Sequence, residues 1–231
     1  CVDEVSDHVM ARLLTWNRRV ALLNNSVKKT GWGSVPLTMR IMRLRGKKLG
    51  IVGFGRIGRM VCAKARAFGL EVLASDPFVS VEAVAQEGGT LVDIDTLLQE
   101  SDFVSLHSPL NDETRNMIGS RELSLMKPDS FLINCARGPL IDEDALYDAL
   151  SNQQIAGAGL DVMVDAEPPP DTPLLKLDNL LVTPHVAFFS QEATLELEQR
   201  AAREVAYVLT GRMPDNLVNP AVLEHANPRH S

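Results

Sequence analysis

Apolar residues follow two different periods along this chain, and the change between them divides it. Val5, Val9, Leu13, Trp16, Val20 and Leu23 recur at steps of three and four, the stripe of one long amphipathic helix. The polar stretch 24–45, with Gly31, Trp32 and Gly33 inside it, has no clear period and reads as an extended arm. Short apolar runs of strand type then appear at 48–52, 71–75, 90–92, 103–106, 130–134, 155–160 and 180–183. Helical patterns fill most of the gaps, at 57–68, 94–100, 121–126 and 142–152. Strands alternating with helices at this spacing predict an α/β fold, a doubly wound parallel sheet covered on both faces. A last amphipathic helix, about 191–210, precedes a Pro/Asn tail expected to be loose at its end.

Composition narrows the function classes. The 231 residues suffice for a substantial core, and 45% of them are hydrophobic. A formal net charge of -7 argues against a nucleic-acid surface, which needs a basic face. No apolar run reaches the ~18–20 residues of a membrane span. The three cysteines, Cys1, Cys62 and Cys135, are odd in number and scattered, a poor disulfide framework without metal-ligand spacing. A cytoplasmic protein without a metal is therefore expected. The chain starts at Cys1, already in a helical pattern, so a fragment of something longer is expected.

Gly53-Phe54-Gly55-Arg56-Ile57-Gly58 matches the GxGxxG fingerprint, with the strand 49–52 running into it and a helix leaving it. Gly53 permits the tight turn, Gly55 admits a pyrophosphate to the backbone, and Gly58 lets helix and strand pack closely. Arg56 and Ile57 open the helix, whose N–H groups and positive dipole end suit phosphates. Asp76 ends the next strand, where a carboxylate can accept from both ribose hydroxyls and repel a 2′-phosphate. These residues predict NAD as the cofactor, in preference to NADP.

Four further segments carry a resemblance. They are His107-Ser108-Pro109-Leu110 with Thr114-Arg115-Asn116-Met117-Ile118, Asn134-Cys135-Ala136-Arg137-Gly138, Gly159-Leu160-Asp161-Val162 with Glu167-Pro168, and Thr183-Pro184-His185. In this order they resemble the motifs of the D-isomer-specific 2-hydroxyacid dehydrogenases, the family of phosphoglycerate, glycerate and lactate dehydrogenases. Cys1–Asp7 and the run 185–190 look most like the branch of the C-terminal-binding-protein corepressors and their bacterial relatives. The resemblance implies a linker helix and dimerisation arm in 1–45 and an NAD-binding Rossmann domain in 46–187. Residues 188–231 would then return toward a flavodoxin-like substrate domain absent from the front of this chain. A homodimer is expected.

Oxidising a 2-hydroxy acid requires a base, a cation for the carboxylate and a hydride acceptor. His185 suits the acid/base, since imidazole titrates near neutral pH. Glu167 would hold its ring, and Arg137 would bind carboxylate and carbonyl oxygens together. Glu167 stands one place further from Asp161 than the family pattern has it, with Ala166 in the usual place; its spacing to His185 is normal, so Glu167 is retained. By resemblance, Asp161 and the backbone at Cys135 and Ala136 would meet the nicotinamide, and His107, Pro109 and Thr114 would flank the cofactor. The expected reaction interconverts a small D-2-hydroxy acid and its 2-keto acid. The alternatives are an NAD(H)-sensing, corepressor-like binding protein and a formate or phosphonate dehydrogenase-like oxidoreductase.

Overall fold

The computed structural model describes residues 1–33 and 41–225. Seven strands form one parallel sheet: β1 Lys48–Val52, β2 Glu71–Ser75, β3 Thr90–Leu91, β4 Phe103–Leu106, β5 Phe131–Asn134, β6 Gly157–Leu160 and β7 Leu180–Val182. Their spatial order is β3-β2-β1-β4-β5-β6-β7, so the direction of winding reverses between β1 and β4. Ligands of open α/β sheets bind at such a reversal, beyond the carboxyl ends of the strands. This is the predicted doubly wound sheet.

Alternation along each strand feeds two cores. Phe131 and Ile133 of β5 join Val9, Leu13, Ile51, Val61 and Phe103 on one face, while Leu132 joins Leu97, Leu106, Leu146 and Leu160 on the other. The first face is covered by α1 (Val2–Asn17) and α3 (Arg56–Ala67), the second by α5 (Ile94–Glu100), α6 (Ser120–Leu125) and α7 (Glu143–Ser151), with α2 being Val20–Thr30 and α4 Val81–Gln86. Burial on both sides is what gives the strands their unbroken apolar runs.

The amino-terminal region departs from expectation. The stripe drawn through Val5 and Leu23 spans two helices, because Arg19 adopts a left-handed backbone (φ 55°) between α1 and α2. Trp16 stacks on Phe131 at 4.5 Å, Arg19 lies over the Trp16 ring, and Asn17 bonds the backbone of Met42, which together stop the first helix there. Beyond the break no residue of α2 is buried. The polar arm is also partly helical, since α2 continues to Thr30; the rest of that stretch includes residues 34–40, outside the described residues. Within the compact unit Val2–Phe188, Val5, Val9, Met10, Leu13 and Trp16 of α1 are core. The short helix α4 had no visible stripe, since only Val84 of it is buried.

A second unit comprises Cys1 and the residues from Phe189 onward. It contains α8 (Gln191–Leu209), capped by the Ser190 hydroxyl accepting from the Ala193 N–H, and α9 (Val222–His225). Among the described residues, no helix is long and apolar enough to cross a membrane.

Candidate active site

Two cavities lie along the carboxyl edge of the sheet. The first, about 860 Å³, is bordered by Gly53, Gly55, Asp76, Phe78, His107, Pro109 and Thr114. These residues follow β1, β2 and β4, the strands around the reversal. Gly53 has φ +91°, and a Cβ there would stand 2.7 Å from the Ser108 nitrogen, so the turn after β1 requires glycine. Beside Gly55 a Cβ would meet nothing within 4 Å, an open cradle against the first turn of α3, which fits a pyrophosphate. Arg56 and Ile57 form that turn; Arg56 is exposed and Ile57 half-buried.

Asp76 is fixed by its own loops. Its Oδ2 accepts from the Phe54 N–H at 2.7 Å and its Oδ1 from the Phe78 N–H at 2.8 Å. The carboxylate is thus presented to the cavity with lone pairs left for a diol. Thr114 has a local task as well, for its hydroxyl donates to the Pro109 carbonyl at 2.6 Å and closes the loop after β4. His107 shares a hydrogen bond of 2.9 Å with Ser105. Its surface is only partly covered, yet its surroundings are dry enough that burial pushes the imidazole down to about 4. It is therefore a neutral wall residue at neutral pH.

The second cavity, about 520 Å³, is bordered by Arg137, Asp161, Asp165, Ala166, Glu167, Thr183 and His185. Here β5, β6 and β7 end. Asn134 sets the turn after β5, its side chain accepting from the Ala136 N–H at 3.0 Å and donating to the Arg137 carbonyl at 2.8 Å. Arg137 itself is exposed, with one N–H on the Ala136 carbonyl and no other partner among the described residues. Cys135 is buried behind this turn, and burial pushes its thiol up to about 12. His185 is exposed and holds a left-handed backbone (φ 52°), a conformation a non-glycine residue keeps only when its surroundings impose it.

The constraint comes from Asp161. Its carbonyl accepts from the His185 N–H at 2.8 Å, and its carboxylate accepts from the N–H groups of Val186 (3.1 Å) and Ala187 (2.8 Å). Burial alone would raise its pKa, but bonds from His8, Thr183, Ala187 and Val186 outweigh it and hold the carboxyl well below the usual carboxylate range. The expected nicotinamide contact at Asp161 is thus, in this structure, a carboxylate taken up by the chain's own donors.

Glu167 and His185 border one cavity but share no hydrogen bond or ion pair. Glu167 is exposed, and its backbone N–H donates to the Asp165 carboxylate at 3.0 Å. Ala166 lies beside it on the same rim. His8 and Arg12 were missed by sequence reading. A signal existed, for they stand four apart within the buried stripe of α1, between Val5, Val9, Leu13 and Trp16.

A doubly wound sheet with a glycine turn and an acid after β2 defines a dinucleotide-binding protein of the Rossmann class, here with a cation and an imidazole at the far end of the same edge. Residues 10–187 match the profile described as the NAD-binding domain of the D-isomer-specific 2-hydroxyacid dehydrogenases, and the chain belongs to that family. It is 41% identical to a glyoxylate reductase of Thermococcus litoralis, over 98% of this chain and 70% of that protein. It is 39% identical to a D-3-phosphoglycerate dehydrogenase of Methanocaldococcus jannaschii, over 93% of this chain and 41% of that one. Among solved structures, a D-lactate dehydrogenase with NAD+ from Lactobacillus jensenii superposes with a TM-score of 0.85 at 30% identity, covering 95% of this chain and 69% of that one.

Proposed function

We propose that this chain carries the NAD(H) site and three catalytic side chains of an enzyme interconverting a small D-2-hydroxy acid and its 2-keto acid. The observation that carries the reading is the meeting of Arg137, Glu167 and His185 around one cavity on the edge that also bears the glycine turn and Asp76. NAD(H), when bound, supplies or accepts the hydride at the substrate carbon. Arg137 takes the substrate carboxylate and carbonyl oxygen through its planar fork, which no other side chain among the described residues occupies. His185 gives the proton to the nascent alkoxide in reduction and removes it in oxidation. Glu167 steadies the imidazolium across the cavity. Asp76 holds the ribose diol. We assign the protein to the cytoplasm as a homodimer, supported by its buried, unpaired Cys62 and Cys135 and by Val20, Leu22 and Val27 exposed on α2.

The test is NADH-dependent reduction of a 2-keto acid panel, glyoxylate and pyruvate included. It is run on this chain and on the chain joined to the remainder of the Thermococcus glyoxylate reductase. Because holding the keto acid at the nicotinamide contributes on the order of 7–11 kcal/mol, the longer protein should be much the faster. His185→Ala should lower kcat about 10²–10⁴-fold and leave NADH affinity within a factor of about two. Retained turnover in His185→Ala would refute the assignment.

A further inference from the structure

The first helix reaches the far end of the sheet edge with two basic side chains. Arg12 is buried on α1, with one Nη donating to the Leu181 carbonyl at 3.0 Å and the other to the Thr183 hydroxyl; that second nitrogen lies 3.5 Å from the Asp161 carboxylate. His8, one turn earlier, places Nε2 3.0 Å from the same hydroxyl and 3.4 Å from the same carboxylate. Thr183 has a single proton, and it goes to Asp161. Its oxygen therefore accepts from both neighbours, which requires a hydrogen on Nε2 of His8. Asp161 collects these interactions and passes them on to the N–H groups of residues 185, 186 and 187.

We propose that His8 and Arg12 are positioning residues that hold the left-handed His185 turn through Thr183 and Asp161. The proposal rests on the reading of His185 as the acid/base, to which it adds a device on an element remote in sequence. The bonds from His8 and Thr183 help to keep a buried carboxylate ionised, and Arg12 stands in ion-pair range of it. The ionised form accepts from two backbone N–H groups and the threonine hydroxyl more strongly than a protonated one. A protonated or displaced Asp161 would release the turn, and His185 would lose its direction toward the cavity. The groups facing Asp161 are His8 and Arg12 from α1, Cys135 from the end of β5 and Thr183 after β7. Arg137, Asp165, Glu167 and His185 border the adjoining cavity. Of these, Arg12 is the permanent cation in ion-pair range of the carboxylate.

The test reads the turn on this chain by following the amide NMR signals of Val186 and Ala187 with pH. Every NMR arm carries His185→Asn, a residue that tolerates the left-handed backbone and removes the adjacent imidazole. In the parent they should stay flat down to about pH 4, because their acceptor remains ionised. In Arg12→Leu and in His8→Leu they should titrate, with the inflection raised by about one unit or more. Arg12→Lys, which keeps the charge, should restore most of the flat profile. His8 lies at a partly exposed edge, so His8→Leu gives a reading even where Arg12→Leu fails to fold. In a protein active on glyoxylate, Arg12→Leu should lower kcat roughly 10–100-fold with a much smaller change in KM and in NADH affinity. Flat amide profiles in the folded leucine variants would overturn the inference. Absence of turnover in the parent would instead sink the proposed reaction, while the amide profiles still decide the anchor by themselves.

Discussion

Asp76 offers the sharpest test of the cofactor end, because the structure fixes its carboxylate on both oxygens before any ligand arrives. The N–H groups of Phe54 and Phe78 hold it at the mouth of the first cavity, so it cannot swing aside to admit a 2′-phosphate. Two unit charges about 4–5 Å apart interact by about 3–4 kcal/mol at an effective dielectric of about 20. Salt and the half-exposed setting reduce this to about 2 kcal/mol, a roughly thirty-fold preference for NADH over NADPH. Asp76→Ala removes the charge and the ribose acceptors together. NADH should then bind about ten-fold more weakly, and the two cofactors should differ by no more than about three-fold. Asp76→Asn keeps the shape but sets its NH2 against one of the two backbone N–H donors, so a gain in NADPH affinity there reports the lost charge together with one lost loop tie. Fluorescence titration of both reduced cofactors on this chain makes the measurement. Equal or tighter NADPH binding by the parent, or an undiminished NADH preference in Asp76→Asn, would refute the reasoning.

Two other outcomes concern the fold. Trp16→Ala removes a ring stacked on Phe131 and packed where a Cβ on Gly157 would stand only 2.3 Å away, so it should cost about 3–5 kcal/mol and lower Tm on the order of 10 °C. A loss below about 1 kcal/mol by urea unfolding would mean that α1 is dispensable to the core. His107, held down to about 4, stays neutral in the folded protein while the unfolded chain protonates near 6.5. Stability should therefore fall as pH drops from about 6.5 to about 4, by up to about 3 kcal/mol, and level off below. His107→Gln should remove that segment of the profile, and an identical pH dependence in parent and variant would contradict it. The Asp161 contribution lies lower, present above about pH 4 and lost as pH falls through its depressed value.

The sheet was legible because burial on both faces turns each strand into an apolar run, as in Phe131–Asn134, and leaves charges to the helices between. The glycine turn was legible because Gly53 needs a positive φ that few other residues tolerate. What escaped reading escaped for physical reasons. A period records the spacing of side chains and not the backbone between them, so the left-handed Arg19 left no trace in the stripe from Val5 to Leu23. His8 and Arg12 flank that stripe with polar groups, yet their partners Thr183 and Asp161 lie about 150 residues or more away, and no local pattern pairs them.

Both acids expected to touch the cofactor turn out to bind the chain first. Asp76 ties the glycine turn to the loop after β2, and Asp161 ties the end of β6 to the turn after β7. A carboxylate at a strand end meets a cluster of backbone N–H groups that no strand partner satisfies, and accepting them fixes the loops that must later meet a ligand. Preorganisation of this kind removes an ordering cost from binding and from the chemical step. It also shows a second set of contacts that a motif alone does not name. The motif marks the place in the chain, whereas the role depends on which donors the fold brings there. For Asp161 those donors include a hydroxyl, two backbone amides and two basic side chains from the opposite end of the sequence, and they leave its carboxylate committed to the turn that carries His185.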